Sequence, residues 1–371
     1  MSKKFLVIVV ALVLIITMAG CTSSPATEAP SGGDSGAGSS AGSGDSGAPA
    51  GGGTESVTIN GYTFEVDLSK DPSQLEIAVV YMNTTAPFAQ AIKMGVDAAG
   101  EQYGANAYMT GKETWDTAAE IDVVQNLITK GVDGISIAVM DEPGMTPIIQ
   151  ESLVNGIPIT TFNVDAPDSG RLGFVGENLF DAGAATAKDV AEAMGGSGKV
   201  LVSSVAQSST WSRQRQDGVE SVFAQYPDIE IVQVVDCPGS EQEQYGVLEN
   251  ALLANPDISG KVSLGGTGYV FARVMIENNM GNIDSANPIY VSGHDLTPAR
   301  EVLDQINEGW LYSMYTQNPY NQGFLAVEML YKFLTSADPA SFSVVDSEIT
   351  AVTRANVDKY YQDLEDDLPV G

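Results

Sequence analysis

From residue 76 onward, short apolar runs rich in Val and Ile alternate with stretches whose apolar residues recur at helical spacing. "EIAVVYM" reads as a buried strand and 88–103 as a helix; "ANAYMTG" as a strand and 116–130 as a helix. "GISIAVM" precedes a helix over 145–155, and "IPITTFN" follows it. After "RLGFVGEN" the rhythm restarts with a helix over 181–194, "KVLVSSV", and a helix over 212–225. "IEIVQVVD", a helix over 242–253, "KVSLGG", a helix over 271–279 and "PIYVSGHD" complete the second set. Continuous apolar strands bounded by Gly and Pro, each followed by a helix, mean parallel sheets covered on both faces. The expected fold is α/β: two doubly wound, Rossmann-like lobes with parallel sheets, joined by a multi-crossover hinge. A helix over 298–308, the strand "YSMYTQ" and a helix over 320–334 are too few for a third domain, so the chain is expected to cross back between lobes. The N-terminal lobe is assigned 76–176 and 318–342, the C-terminal lobe 177–317 and 343–371. Ahead of both, "VTINGYTFEV" alternates around Asn60-Gly61 and predicts a β-hairpin with a type I′ turn, an appendage over 57–75.

The first 56 residues follow a different pattern. Lys3 and Lys4 precede an apolar run over 5–16, about 12 residues against the roughly 20 that a membrane-crossing helix needs. A positive start, a short apolar core and small residues at the end make a secretory signal over 1–21. Met18-Ala19-Gly20-Cys21 resembles a bacterial lipobox, in which the cysteine is acylated and becomes the new N-terminus; an ordinary cleaved signal or a weak anchor are the alternatives. Residues 22–56, nearly all Gly, Ser, Ala, Pro and Thr, cannot bury apolar surface and form a flexible leash.

Charge narrows the partners. Seventeen basic against 48 acidic residues give a net charge of −31, a field that repels nucleic acid and anionic surfaces and favours a neutral or cationic small molecule, unless it is simply a solvated coat. With Cys21 lipidated, Cys237 is left without a partner for an intrachain disulfide.

In open parallel sheets ligands sit beyond the carboxyl ends of the strands, and two facing lobes would enclose a cleft there. The residues just after strands are Phe88 in "NTTAPFAQ", Asn163 and Asp165 in "NVDAP", Trp211, Arg213 and Arg215 in "TWSRQRQ", Asp295 after "VSGH", and Gln317 after "YSMYT". Planar hydrogen-bonding side chains suit hydroxyls that both donate and accept, and an aromatic suits the C–H face of a sugar ring. Each position has a plainer use. Phe88 is core or platform; Asn163 and Asp165 are ligands or turn residues; Asp295 is a ligand or the cap of the next helix. An arginine near a helix start opposes the macrodipole, which favours a ligand-facing role at 213 and 215.

"TFNVDAPDSGRLGFVGEN", "SRQRQDG", "VSGHDLTP" and "YTQNPYNQG", in this order over residues 76–360, resemble the type I periplasmic sugar-binding proteins of the ribose- and galactose-binding group. The resemblance implies two lobes that close on a monosaccharide and present it to the permease subunits of an ABC importer. It implies that Phe88 stacks on the sugar, that Arg215 binds ring hydroxyls, that Asp295 receives two hydroxyls, and that Gln317 binds at the crossover. Asn163 and Val164 stand where ribose binders carry Asp and Arg, and Ala86 and Ala89 also depart, so a sugar-like ligand of another shape is expected.

Catalysis is not expected. His294 lacks a triad or zinc partner, "GGSGK" at 195–199 joins a helix to a strand in the wrong order for a phosphate loop, and "GGTG" at 265–268 lacks the third glycine of a dinucleotide motif. The expectation is a monomeric lipoprotein held extracytoplasmically on the cell membrane, with no cofactor, metal or nucleic acid. It captures a small neutral sugar-like molecule for an importer. The other reading is a receptor of the same fold signalling to a chemoreceptor or sensor kinase.

Overall fold

The computed structural model describes residues 53–237, 239–294 and 299–365. A hairpin of β1 (Thr54–Ile59) and β2 (Tyr62–Asp67) turns at Asn60 and Gly61, both with positive φ as a type I′ turn requires. There follow β3 (Glu76–Tyr81), α1 (Pro87–Tyr103), β4 (Asn106–Gly111), α2 (Thr117–Lys130), β5 (Gly134–Ile137), α3 (Glu142–Val154), β6 (Ile159–Phe162) and β7 (Phe174–Gly176). The second series is α4 (Leu179–Ala193), β8 (Ser197–Ser204), α5 (Thr210–Phe223), β9 (Asp228–Asp236), α6 (Glu241–Ala254) and β10 (Gly260–Ser263). It continues with α7 (Gly268–Glu277), β11 (Tyr290–His294), α8 (Arg300–Asn307) and β12 (Ser313–Thr316). Last come α9 (Pro319–Ser336), β13 (Val344–Asp346), β14 (Thr350–Val352) and α10 (Val357–Glu365).

Two six-stranded sheets result, ordered β13-β7-β6-β5-β3-β4 and β14-β12-β11-β10-β8-β9. Setting aside β13 and β14, the orders are the same when each lobe is numbered from its own first strand. The α/β two-lobed reading is correct: β3 is buried on both faces along Ile77–Tyr81, as a central parallel strand must be, and every pairing in both sheets is parallel except β12 with β14. Helix ends follow local chemistry. Asp116 accepts from the Ala119 N–H (3.0 Å) to start α2, and Gly131 ends it in the left-handed region.

Three details differ from the sequence reading. Residues 344–346 pair with β7 in the first sheet rather than joining the second lobe, so the chain's last passage between sheets lies after Asp346. Strand β1 begins at Thr54, inside the 22–56 span that composition assigns to the leash. The hairpin is no loose appendage: Phe64 and Val66 are buried in the first lobe's core, and the Phe64 ring meets the Phe333 ring edge-on at 5.8 Å. Alternation along β2 puts these two residues on one face, and that face needs cover. Cys21, the signal and nearly all of the leash lie outside the described residues.

Each lobe fastens one helix pair by reciprocal glycines. On α4 a β-carbon at Gly183 would overlap the Arg215 carbonyl, and on α5 one at Gly218 would overlap the Phe180 carbonyl. Gly95 of α1 and Gly323 of α9 repeat the arrangement against the backbones of Tyr320 and Ile92. Close backbone contact therefore sets the position of α1 and α5, two of the helices that begin at the cleft.

Candidate functional site

Between the carboxyl ends of the two sheets lies a cleft of about 370 Å³, within the range of small-molecule sites. The first lobe contributes Tyr81, Met82 and Asn83 at and just past the end of β3, Phe88 on α1, Trp115 before α2, and Asn163 and Val164 after β6. The second contributes Val205 and Trp211 after β8, Arg215 on α5, Gly239, Glu241 and Gln244 around the start of α6, and Gly266 and Tyr269 after β10. Gln317, on the passage from β12 to α9, lies at the junction.

Five of the strand-end candidates, Phe88, Asn163, Trp211, Arg215 and Gln317, meet here. Asn163 adopts the left-handed conformation (φ 60°), which asparagine tolerates better than most side chains, and Asn318 beside Gln317 does the same (φ 53°). So placed, the Asn163 amide nitrogen donates to Gln317 Oε1 and Gln322 Oε1, each at 3.1 Å. This network fastens the end of β6 to the passage between lobes. Phe88 lies 6.1 Å from the Tyr81 ring, centroid to centroid, and stays half-buried at the cleft wall.

Arg215 is buried, at 2% exposure. Its Nε donates to Glu177 Oε1 at 3.1 Å, its Nη2 makes a second bond to the same oxygen, and its Nη1 donates to the Leu264 carbonyl at 2.6 Å. Its guanidinium also lies 5.6 Å from the Trp211 ring centroid, a cation–π contact that holds the indole at the cleft wall. Behind that wall, Lys261 Nζ donates to Ser263 Oγ (2.8 Å) and Thr267 Oγ1 (3.3 Å), and complete burial pushes its pKa down to about 7. Burial, and then the nearby Arg215 charge, hold His294 well below the usual imidazole range; its Nε2 lies 3.1 Å from the Ala182 carbonyl oxygen, away from the cleft lining.

Asp165 is a correction. It does not line the cleft: Arg171 grips it with Nε at 2.8 Å and Nη2 at 2.6 Å, while Thr161 Oγ1 and the Ala166 N–H donate to Oδ1. Its carboxylate stabilises the turn after β6, the plainer of the two uses the sequence allows. Asp295 lies outside the described residues. Arg213 sits at the rim instead of the floor, its Nη2 3.5 Å from Asp141 Oδ1, beside a backbone bond from Thr210 N to the Met140 carbonyl (3.3 Å) that links α5 to the first lobe.

Trp115, Glu241, Gln244 and Tyr269 were missed. Trp115, Glu241 and Tyr269 come shortly after β4, β9 and β10, and the strand-end rule applied to every strand would have found them; Gln244 lies a turn into α6, where that rule does not reach. Glu241 accepts from Tyr269 Oη (2.6 Å) and Arg273 Nη1 (2.8 Å), and these bonds hold its carboxyl below the usual range. Among the described residues the charges at the cleft thus come with their counter-charges, Arg215 with Glu177 and Glu241 with Arg273, and the rest of the lining is uncharged, with aromatic, aliphatic, amide and hydroxyl side chains. Among the described residues no group of three or more His, Cys, Asp or Glu side chains could hold a metal, and no helix is long and apolar enough to cross a membrane.

Two doubly wound lobes with a solute-sized cleft at facing strand ends define a two-lobed binding protein. The chain belongs to the family described as periplasmic binding protein domain, whose model matches residues 77–338. It is 25% identical over 295 residues to the xylose/arabinose-binding protein XylF of Sulfolobus acidocaldarius, covering 76% of this chain and 72% of that one. To the ribose import binding protein RbsB of Bacillus subtilis it is 22% identical over 264 residues, covering 70% of this chain and 82% of that one. Among solved structures, an ABC transporter solute-binding protein from Burkholderia graminis in complex with D-arabinose superposes with a TM-score of 0.72 at 24% identity, covering 77% of this chain and 98% of that one.

Proposed function

We propose that this protein is an extracytoplasmic solute-binding lipoprotein, anchored through Cys21, that captures one neutral sugar-like molecule between its lobes and delivers it to an ABC importer. The observation that carries the proposal is a cleft lined from both lobes by aromatic rings and hydrogen-bonding side chains, with Gln317 and Asn163 joined across the passage between them. A solute touched by both lobes favours the closed form over the open one, because only the closed form makes both sets of contacts. Paired charges at the cleft favour a neutral solute, and the aromatic walls offer platforms for apolar ring faces. The relatives named for xylose, arabinose and ribose support the sugar class, and the basic start, short apolar run and Met18-Ala19-Gly20-Cys21 support the anchor.

The test is a melting-temperature screen against pentoses, hexoses and polyols. At a hundredfold excess over Kd, a ligand that binds only the folded state adds about 2.7 kcal/mol of stability. At least one sugar or polyol should raise the melting temperature in a saturable way. A flat response across the whole panel would refute the proposal.

A further inference from the structure

Most polar atoms at the cleft are committed within the protein. Asn163 is tied to Gln317 and Gln322, Arg215 to Glu177 and the Leu264 carbonyl, Glu241 to Tyr269 and Arg273, and Asn83 Oδ1 accepts from Thr85. Two atoms of the second lobe are different. Among the described residues, the Trp211 Nε1–H and the Gln244 Oε1 have no hydrogen-bond partner, although their side chains are buried at 5% and 7% exposure. Both residues line the cleft. Buried polar groups left unmatched are costly and uncommon, and at a cleft wall they mark places where a ligand completes the bonding.

The chemistry of the two atoms is fixed. An indole nitrogen only donates. Gln244 Nε2 donates to the Gly239 carbonyl at 3.2 Å, which leaves Oε1, an acceptor, as its open atom. Neither group is free to turn away. Trp211 is held by Arg215 over its ring, and Gln244 stands in the first turn of α6, whose start is locked by a reciprocal capping box between Ser240 and Glu243.

We propose that Trp211 and Gln244 form a donor–acceptor pair that selects hydroxyl groups on the ligand from the second-lobe side. A hydroxyl suits either atom, since its oxygen can accept from the indole and its proton can go to the amide oxygen. An ether or a methylene answers at most one. A carboxylate would suit Trp211 and be repelled by Gln244 Oε1, and an ammonium would do the reverse, so the pair excludes charged solutes as well as deoxygenated ones. This inference rests on the sugar-binding reading and narrows it to neutral polyhydroxylated compounds recognised by an uncharged pair.

The test is calorimetric. Wild type, Trp211→Phe and Gln244→Met are titrated with D-xylose, L-arabinose, D-ribose and D-allose, and then with the monodeoxy analogues of whichever binds best. Each variant should lose about tenfold or more in affinity for the parent sugar. One deoxy analogue should bind wild type as weakly as the parent binds the variant, with no further loss when analogue and variant are combined. Unchanged affinity for the parent sugar would overturn the inference. So would an equal loss on the parent and on every deoxy analogue, the mark of a general distortion. Gln244→Met alone carries the same cycle if Trp211→Phe does not fold. If wild type binds none of these sugars and nothing in the wider panel of pentoses, hexoses and polyols, the sugar-binding reading itself fails and this inference falls with it.

Discussion

Asn163 and Gln317 stand far apart in the chain and meet at the cleft because one left-handed asparagine ends β6 and another, Asn318, begins α9. A single buried carboxyl close by has a measurable consequence. Glu120 of α2 is enclosed, its Oε2 accepting one bond from the Met140 N–H at 3.2 Å, and burial pushes its pKa from 4.5 up to about 8. The folded state therefore holds a proton that the unfolded state releases between these values, so this group lowers stability as pH rises from about 5 to 8. Glu120→Gln should be near neutral at pH 5 and raise the melting temperature at pH 8 and above; equal melting shifts at both pH values would contradict the assignment. At this scale the sequence was legible where a residue has one plausible partner in space. Arg215 and Gln317 were visible as strand-end side chains. Asp165 misled because its partner, Arg171, sits six positions on across a turn whose geometry no local pattern displays. Gln244 was hidden by its place inside an otherwise ordinary helix.

The alternation of strands and helices is the most legible feature of the chain, because a parallel strand covered on both faces must be apolar throughout and a covering helix must be amphipathic. Strands of three residues, β7, β13 and β14, carry too short a pattern to read, and this is why the last passage between sheets was misplaced. Nor does any periodicity announce that Gly183 and Gly218 bring α4 and α5 into backbone contact, since glycine reads first as a turn or a weak helix position. The consequence is specific to the element. Gly218→Ala should cost about 1–3 kcal/mol through overpacking against the Phe180 carbonyl, measured by chemical denaturation. It should also weaken sugar binding, because α5 carries Trp211 and Arg215. A change within a few tenths of a kcal/mol would mean that the two helices separate without strain.

For the whole molecule, the two lobes share one strand order and differ in what they bring to the cleft. The first supplies Phe88, Trp115 and the Asn163 network; the second supplies Trp211, Gln244, Tyr269 and the buried Arg215–Glu177 pair. Net charge of −31 acts at the same scale, as a field that repels other polyanions, while among the described residues the charges at the cleft are matched. The central claim is that a neutral sugar-like solute is enclosed between these lobes, and the placement of the three tryptophans makes it directly measurable. Trp115 and Trp211 line the cleft, whereas Trp310 follows α8 and donates to Glu308 at 3.2 Å. Intrinsic tryptophan fluorescence titrated with the sugar that stabilises the protein best should change saturably, keep that change in Trp310→Phe, and lose most of it when Trp115 and Trp211 are both replaced by Phe. A spectrum that stays fixed at saturating sugar, or a change carried by Trp310, would contradict the account.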